Sequence, residues 1–263
     1  MTRIETDSIG TRELPEQTLY GVNTLRATEN FDISPLKIGN EPAFIRALAA
    51  IKKAAAKANG EIGIISPMHR DAIVSACEEI LSGAHHDQFV VDLLEGSGGT
   101  SINMNANEVI ANRALQVLGH RVGQYEQLNP NDHVNTGQST NDVVPSAVKL
   151  AVLEKAPALI EALDHLAESL QGKSIEFANV LKIGRTCMQA AQPMTLGQEF
   201  GGYAAALFRA RDKIREVVKD LEVLPLGGTA IGTGLGAQPG YIEAVYRHLS
   251  NDTGRPLRPA DNL

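Results

Sequence analysis

Hydrophobic positions along most of the chain repeat at helical spacing. After residue 41, apolar residues recur every three or four positions, among them Phe44, Leu48 and Ile51, and then Ile73, Cys77 and Ile80. The alanine-rich run 54–58 favours a helix, and Pro67 is typical of a first helical turn. Alternating strand patterns are sparse. The sequence therefore predicts an all-α fold and disfavours a doubly wound parallel sheet.

Two long helices are predicted in the second half of the chain. Leucines at 159, 163, 166 and 170 mark the first, and Pro157 would either kink it or start its second segment. The second carries apolar residues at the alternating spacings of a helix-bundle seam, namely Phe200, Tyr203, Leu207, Ala210, Ile214, Val217 and Leu221. A shorter helix is predicted around Tyr241 to Leu249.

The remaining segments give a provisional domain organisation. Residues 1–40 predict an irregular arm with short elements, and the apolar run Phe89–Leu94 is interpreted as helix because its neighbours are helical. A helix restarts at Asn103 and stops at Gly119. We expect an N-terminal, mainly helical domain over 1–134 and a long-helix bundle over 135–263, with the bundle incomplete.

Composition narrows the class of protein. The chain has 263 residues, 43% of them hydrophobic, and a formal net charge of −7 without a Lys/Arg-rich run. This balance disfavours nucleic acid or an anionic membrane as the main partner. Cys77 and Cys187 are too far apart in sequence to indicate a disulfide scaffold or a zinc site. With no signal-peptide pattern and no membrane-length apolar run, the sequence predicts a soluble cytoplasmic protein.

Common catalytic motifs do not fit. A hydrolase triad of Ser139, His133 and an aspartate is disfavoured because Gly137-Gln-Ser-Thr-Asn141 lacks the closing glycine of a nucleophile elbow. The glycine-rich segment 227–240 has neither a dinucleotide-binding nor a Walker pattern. His85-His86-Asp87 has no further ligands at suitable spacing, so surface histidines are the better interpretation than a metal site.

Three polar segments rich in Gly, Ser, Thr and Asn stand out instead, at 96–107, 129–142 and 184–199. Each opens or joins a predicted helix. One interpretation is three capped helix starts. The other is a single site for a small carboxylate, assembled from neutral donors and a helix N-terminus, with Ser139, Thr140 and Asn141 at its centre. The pattern alone leaves both open.

In order and spacing, the three segments resemble the signature regions of the aspartase/fumarase superfamily. Residues 9–15, 20–31, 107–112 and 228–235 also resemble the sequence of this family. Gly21-Val-Asn-Thr-Leu-Arg26 resembles the aspartate ammonia-lyase branch, whereas class II fumarases carry a Gly-Ala-Gln-Thr type. Fumarases also place a histidine directly after Gly-Arg-Thr, where this chain has Cys187. Class II fumarase is the nearest alternative.

The resemblance implies a reaction and a set of substrate contacts. The reaction is elimination of ammonia from L-aspartate to give fumarate, without a cofactor, in a homotetramer whose sites combine the three segments from three subunits. Thr100, Ser139 and Thr140 would stabilise the doubly charged aci-carboxylate. Asn141 would hold the other carboxylate, and Thr186 with Cys187 would face the amino group.

The resemblance also implies a base that is not among these residues. In the family the base is a serine in a mobile Gly-Ser-Ser-x-Met-Pro loop, expected beyond Leu263. His133 would orient the second segment, and Cys187 would serve as a base only with a lowered pKa. Ala190 and Gly236 stand where the family usually has Asp and Asn.

Three functional outcomes follow from these departures. We expect the chain alone to be inactive or feeble in aspartate elimination. A related lyase acting on malate or on another amino acid is one alternative. A non-catalytic truncated paralogue, acting only through subunit assembly, is the other.

Overall fold

The computed structural model describes residues 1–94 and 96–263, and it is mainly helical, which confirms the predicted class. Within these residues the α-helices are α1 Val22–Asn30, α2 Pro42–Glu61, α3 Pro67–Leu81, α4 Thr100–Val117, α5 Thr140–Glu176, α6 Leu196–Asp220 and α7 Tyr241–Thr253. Short 3-10 turns occur at Ile38–Asn40 and His86–Gln88, and a π-helical turn occurs at Pro130–Val134.

The described residues also form three small sheets of two strands each. The antiparallel pairs are β1 Thr2–Asp7 with β2 Gly10–Pro15, and β3 Leu181–Thr186 with β4 Gln189–Thr195. The parallel pair is β5 Val223–Leu224 with β6 Arg258–Pro259. Sequence analysis missed them because their side chains are largely exposed, so no alternation of apolar and polar positions marks them.

Two local predictions are corrected by the structure. The run Phe89–Leu94 is not a helix, because Ile38 and Gly39 donate backbone hydrogen bonds to the carbonyls of Val91 and Phe89 at 2.9 and 3.0 Å. Phe89 and Val91 are buried although the run is not helical, whereas Leu94 is exposed. Pro157 does not start a separate helix, since α5 continues through it.

By the density of contacts, the chain forms two compact units. The first comprises residues 1–151 together with 222–263, and the second comprises 152–221. Helix α5 begins in the first unit and ends in the second. These limits differ from the boundary expected near Asn135, so the assignment of domains to 1–134 and 135–263 stays a prediction.

The core of the first unit forms around α2. Its alanine-rich face is buried and packs against α3 and α7, while α3 also packs against α4. Small side chains permit this close packing, and Leu48 and Ile51 fill the space between the helices with no exposed surface. The Nζ of Lys57 lies 2.8 Å from both carboxylate oxygens of Asp252, which ties α2 to the end of α7.

In the second unit, the later part of α5 packs with the β3–β4 hairpin and α6. Asp164 on α5 forms ion pairs with Arg211 and Arg215 on α6. The rings of Phe177 and Phe200 lie 5.8 Å apart. The predicted apolar seam is on α6, where it is only partly covered in the single chain, with Tyr203 and Val217 more than half exposed.

No helix within the described residues is both long enough and apolar enough to cross a membrane.

A buried carboxylate fixes the start of α1. Both oxygens of Glu108, on α4, accept hydrogen bonds from the first turn of α1 and its preceding residue, through Gly21 N, Asn23 N, Asn23 Nδ2, Thr24 N and Thr24 Oγ1 at 2.6–3.0 Å. Burial raises the pKa of Glu108, and these bonds oppose the increase. An internal anion thus satisfies a helix N-terminus.

We expect Glu108→Gln to loosen α1. The new NH2 group would face backbone N–H donors, and leaving such groups buried without partners costs about 2 kcal/mol. Hydrogen exchange at the amides of Gly21 and Thr24 should accelerate accordingly. The exposed Glu126→Gln is the matched control and should leave both rates unchanged. Equal behaviour of the two variants would contradict this role of Glu108.

Candidate functional site

The second polar segment is held in a defined shape before α5 begins. The side chain of Asn129 accepts hydrogen bonds from the backbone of Asn131 and Asp132 at 2.8 and 3.2 Å. The π-helical turn that follows leads to Gly137, which has φ +74°. A residue with a side chain would be strained by this positive φ, even though a Cβ there would make only an ordinary contact, 3.5 Å from the ring of buried Tyr241.

Ser139, Thr140 and Asn141 together form the start of α5. Ser139 Oγ accepts a hydrogen bond from Asn141 N at 3.2 Å. The side chain of Asn141 donates to the carbonyl of Ala230 at 2.7 Å, which connects it to the glycine-rich segment. Thr140 is partly buried. The predicted binding residues of the second segment therefore lie at one helix N-terminus, where backbone N–H groups favour an anion.

The side chain of Asp142 connects the start of α5 to the glycine-rich segment. Its carboxylate is buried and accepts from the backbone N–H groups of Ser139, Gly227 and Thr229 at 3.0, 3.1 and 2.9 Å. Burial raises the pKa of Asp142, and the three hydrogen bonds oppose that increase. The glycine-rich segment is thus attached to the start of α5. The sequence showed only that this segment lacks a dinucleotide-binding or Walker pattern and is similar to the family at 228–235.

A second set of polar side chains lies behind Thr140. Lys52 Nζ donates to Asn135 Oδ1 at 2.8 Å, and Asn103 Nδ2 donates to the same oxygen at 3.1 Å and to Thr140 Oγ1 at 3.3 Å. Lys52 has no exposed surface. Sequence analysis missed it, although a lysine four residues after Leu48 on the apolar face of α2 was a signal that could have identified it.

Thr100 is the first residue of α4, so it also occupies a helix N-terminus. It follows Gly99, at which a Cβ would lie 3.2 Å from Thr140 Cγ2. The first turns of α4 and α5 are therefore in close contact. The structure thus brings Thr100, Ser139, Thr140 and Asn141 into one region of the first unit.

Thr186 and Cys187 belong to the second unit. Thr186 ends β3, and the two-residue loop between β3 and β4 consists of Cys187 and Met188, with φ +46° and +63°. Two successive positive φ angles are typical of a type I′ hairpin turn, although neither residue is the usual glycine or asparagine. The third polar segment thus forms a hairpin before it reaches α6. Cys187 is exposed, whereas burial raises the pKa of Cys77 to about 12.

The histidines singled out from sequence have internal partners. His133 Nδ1 accepts from the backbone N–H of Asn129 at 2.9 Å, and its ring centroid lies 4.5 Å from that of His69. Burial, followed by the neighbouring His69, lowers the pKa of His133. This geometry is consistent with the expected role of His133 in orienting the segment. His85 and His86 contact Glu79 Oε2 and the carbonyl of Ile80 at 2.8 and 2.9 Å.

A sequence model for a protein family described as Lyase matches residues 10–263. The chain belongs to this lyase family. Membership confirms the resemblance drawn from the three polar segments.

Relatives of the lyase family extend the match over the whole chain. The chain is 46% identical over 261 residues to an aspartate ammonia-lyase of Helicobacter pylori. The aligned region covers 99% of this chain and 56% of that enzyme. The chain spans about half the length of the curated relatives it matches.

Solved structures of similar proteins agree with the fold. One described as fumarate lyase:delta crystallin from Brucella melitensis bound to cobalt has a TM-score of 0.95 and 48% identity, covering 100% of this chain and 57% of that chain. A recombinant class II fumarase from Schistosoma mansoni has a TM-score of 0.90 and 37% identity, covering 100% and 58%. The same arrangement of helices thus occurs in lyases with different names.

We expect Asp142→Asn to release the glycine-rich segment from α5. The amide has one acceptor oxygen, so at least one backbone donor would lose its partner, at a cost of about 2 kcal/mol. Faster hydrogen exchange at the amides of Gly227 and Thr229, or at that of Ser139 if the amide oxygen turns toward the glycine-rich segment, would report the change. Asp261→Asn, exposed in the same unit, is the control. Protection that survives at all three amides in Asp142→Asn would refute the attachment.

Proposed function

We propose that the protein is an aspartate ammonia-lyase, which converts L-aspartate to fumarate and ammonia. The observation that carries the proposal is the start of α5, where Ser139, Thr140 and Asn141 lie at a helix N-terminus in contact with the first turn of α4. Sequence similarity to enzymes of that name supports the choice of substrate. Because the chain spans about half of those enzymes, the activity is proposed for the assembled protein.

The chemistry of the elimination suits neutral donors. A proton on the carbon beside a carboxylate is weakly acidic, so its removal places additional negative charge on that carboxylate. Hydroxyl and backbone N–H donors fixed in position strengthen their bonds as the charge develops. Removing one such donor from an active site costs about 100-fold or more in rate.

Each predicted residue has a proposed role. Thr100, Ser139 and Thr140 stabilise the aci-carboxylate, and Asn141 holds the second carboxylate of the substrate. Thr186 and Cys187 face the amino group. Residues for the last role come from the hairpin of the second unit, and we propose that the assembly brings hairpin and helix start together from different copies of the chain.

An oligomer is part of this proposal. Exposed apolar residues on α5 and α6, including Leu159, Leu166 and Val217, give the second unit a surface of the kind that other helices cover in a bundle. We propose the homotetramer expected for the family. Measurement of the mass in solution by light scattering tests it.

The second candidate is a lyase acting on malate. It is favoured by the structural likeness to a class II fumarase. The two candidates differ in the group that leaves the substrate, and therefore in the residues that face that group. Assays with L-aspartate and with L-malate, each followed by the ultraviolet absorbance of fumarate, distinguish them.

We expect Thr140→Val to weaken binding of fumarate dianion to the chain by about tenfold, since a hydrogen bond to a charged group contributes about 1.5 kcal/mol. Calorimetric titration measures the dissociation constant. Ser169→Ala, on an exposed turn of α5, is the control and should bind as the unchanged chain does. An unchanged affinity in Thr140→Val would contradict the assigned contact.

In the active assembly, Ser139→Ala should lower kcat more than it raises KM. The reason is that its donor is assigned to charge that develops in the transition state. Initial rates of fumarate formation over a range of L-aspartate concentrations give both constants. Equal effects on the two would remove Ser139 from that role.

A further inference from the structure

We propose that Lys52 is a positioning residue that, through Asn135 and Asn103, fixes the hydroxyl of Thr140 as a hydrogen-bond donor toward a bound dicarboxylate. Lys52 itself does not contact the ligand. The inference rests on the proposed function, because it assumes that the Thr140 hydroxyl meets a carboxylate.

Lys52 fixes the orientation of the Asn135 side-chain amide. An ammonium group can only donate, so the atom of Asn135 that lies 2.8 Å from Lys52 Nζ must be the carbonyl oxygen. The amide nitrogen of Asn135 then points to the carbonyl of Gln138 at 3.3 Å. A donor-only side chain thus removes the ambiguity between the two ends of this amide.

The oriented amide of Asn135 in turn fixes the orientation of the Asn103 amide. Since Asn135 presents an oxygen, the group of Asn103 that contacts it at 3.1 Å must be its NH2. The same nitrogen lies 3.3 Å from Thr140 Oγ1 and donates to it as well. Asn103 Oδ1 is left buried and without a hydrogen-bond partner among the described residues, which shows that this orientation is imposed on it.

The orientation of Asn103 determines the role of the Thr140 hydroxyl. Thr140 Oγ1 already accepts from Asn103, and no described residue accepts its proton, so that proton is available to an oxygen of a ligand. Without Lys52, only the longer bond to the Gln138 carbonyl, at 3.3 Å, would hold Asn135, and rotation of both amides together would become easier. Asn103 Oδ1 would then accept the Thr140 proton, and the hydroxyl would no longer donate to a carboxylate.

Side-chain packing alone does not require a lysine at this position. Position 52 lies on the buried face of the alanine-rich α2, where a methionine of similar length would pack without the desolvation of a charge. Removing one charge of a buried pair is costly when the other is left uncompensated, but Asp142 keeps its three backbone N–H donors without Lys52. We therefore expect Lys52→Met to fold while it weakens binding.

The charge of Lys52 provides a pH signature. Burial lowers the pKa of Lys52 to about 7, while Asp142 from α5 and Cys77 from α3 oppose that shift. Burial raises the pKa of Asp142 and raises that of Cys77 to about 12. A dianion is bound more tightly by the protonated lysine, so the affinity for fumarate should fall as the pH rises through about 7.

The test compares fumarate binding by the full chain and by Lys52→Met, with calorimetric titration on both sides of about pH 7. We expect the variant to bind about tenfold more weakly at the acid side, as Thr140→Val does, and to lose the pH dependence in this range. Lys57→Met, on the same helix but paired with Asp252, is the matched control and should keep both the affinity and its pH dependence.

The double variant Lys52→Met with Thr140→Val separates positioning from general destabilisation. If Lys52 acts through Thr140, the second substitution should add less than about a twofold loss to the first. Losses that multiply would overturn the proposal. A single variant that binds fumarate as the unchanged chain does, with the same pH dependence, would also overturn it and leave the proposed function intact. Failure of the unchanged chain to bind fumarate would overturn both.

If Lys52→Met does not fold, Asn103→Leu interrupts the same connection without altering the lysine. It should also weaken fumarate binding, because no described side chain then fixes the direction of the Thr140 hydroxyl. In the unchanged chain, the 15Nζ resonance of Lys52 should titrate near pH 7 and move to higher pH when fumarate binds. A titration that fumarate does not shift would contradict the connection.

Discussion

The buried carboxylate of Asp142 is the interaction on which the candidate site depends. It joins the start of α5 to Gly227 and Thr229, residues that are about 85 positions away in sequence. A carboxylate without exposed surface is stable only when its oxygens are hydrogen-bonded, and three backbone N–H groups supply those bonds. Because the acceptor is internal, it leaves the hydroxyls of Ser139 and Thr140 at the same helix start available to an external anion.

The neutral groups and the cation of the candidate site lie in different places. The groups proposed to meet the substrate are hydroxyls and an amide, whereas the cation, Lys52, lies behind them and is fully buried. Donors whose direction is already fixed need no reorganisation as negative charge develops on the carboxylate during the reaction.

The sequence predicted the fold through its helices and predicted only the outer residues of the site. Spacing of Leu48 and Ile51 was sufficient for α2, because burial on one helical face is a local pattern. The β3–β4 hairpin was missed because its exposed strands carry no such pattern. The helix predicted for Phe89–Leu94 was wrong because a short apolar run has the same sequence pattern in a helix and in an extended segment. Lys52 was not singled out from the sequence because its hydrogen-bond partner Asn135, and Asn103 beyond it, come from distant segments.

The ion pair between Lys57 and Asp252 has a consequence for the order of folding. It joins residues 195 positions apart, and α7 packs on the same helix, so the first unit is interrupted in sequence by the whole of the second. During synthesis from the N-terminus, residues 152–221 leave the ribosome before the first unit can be completed. The segment that attaches to Asp142 also follows residues 152–221. Helices α2, α3 and α4 are therefore synthesised before the residues that complete the surface at the start of α5.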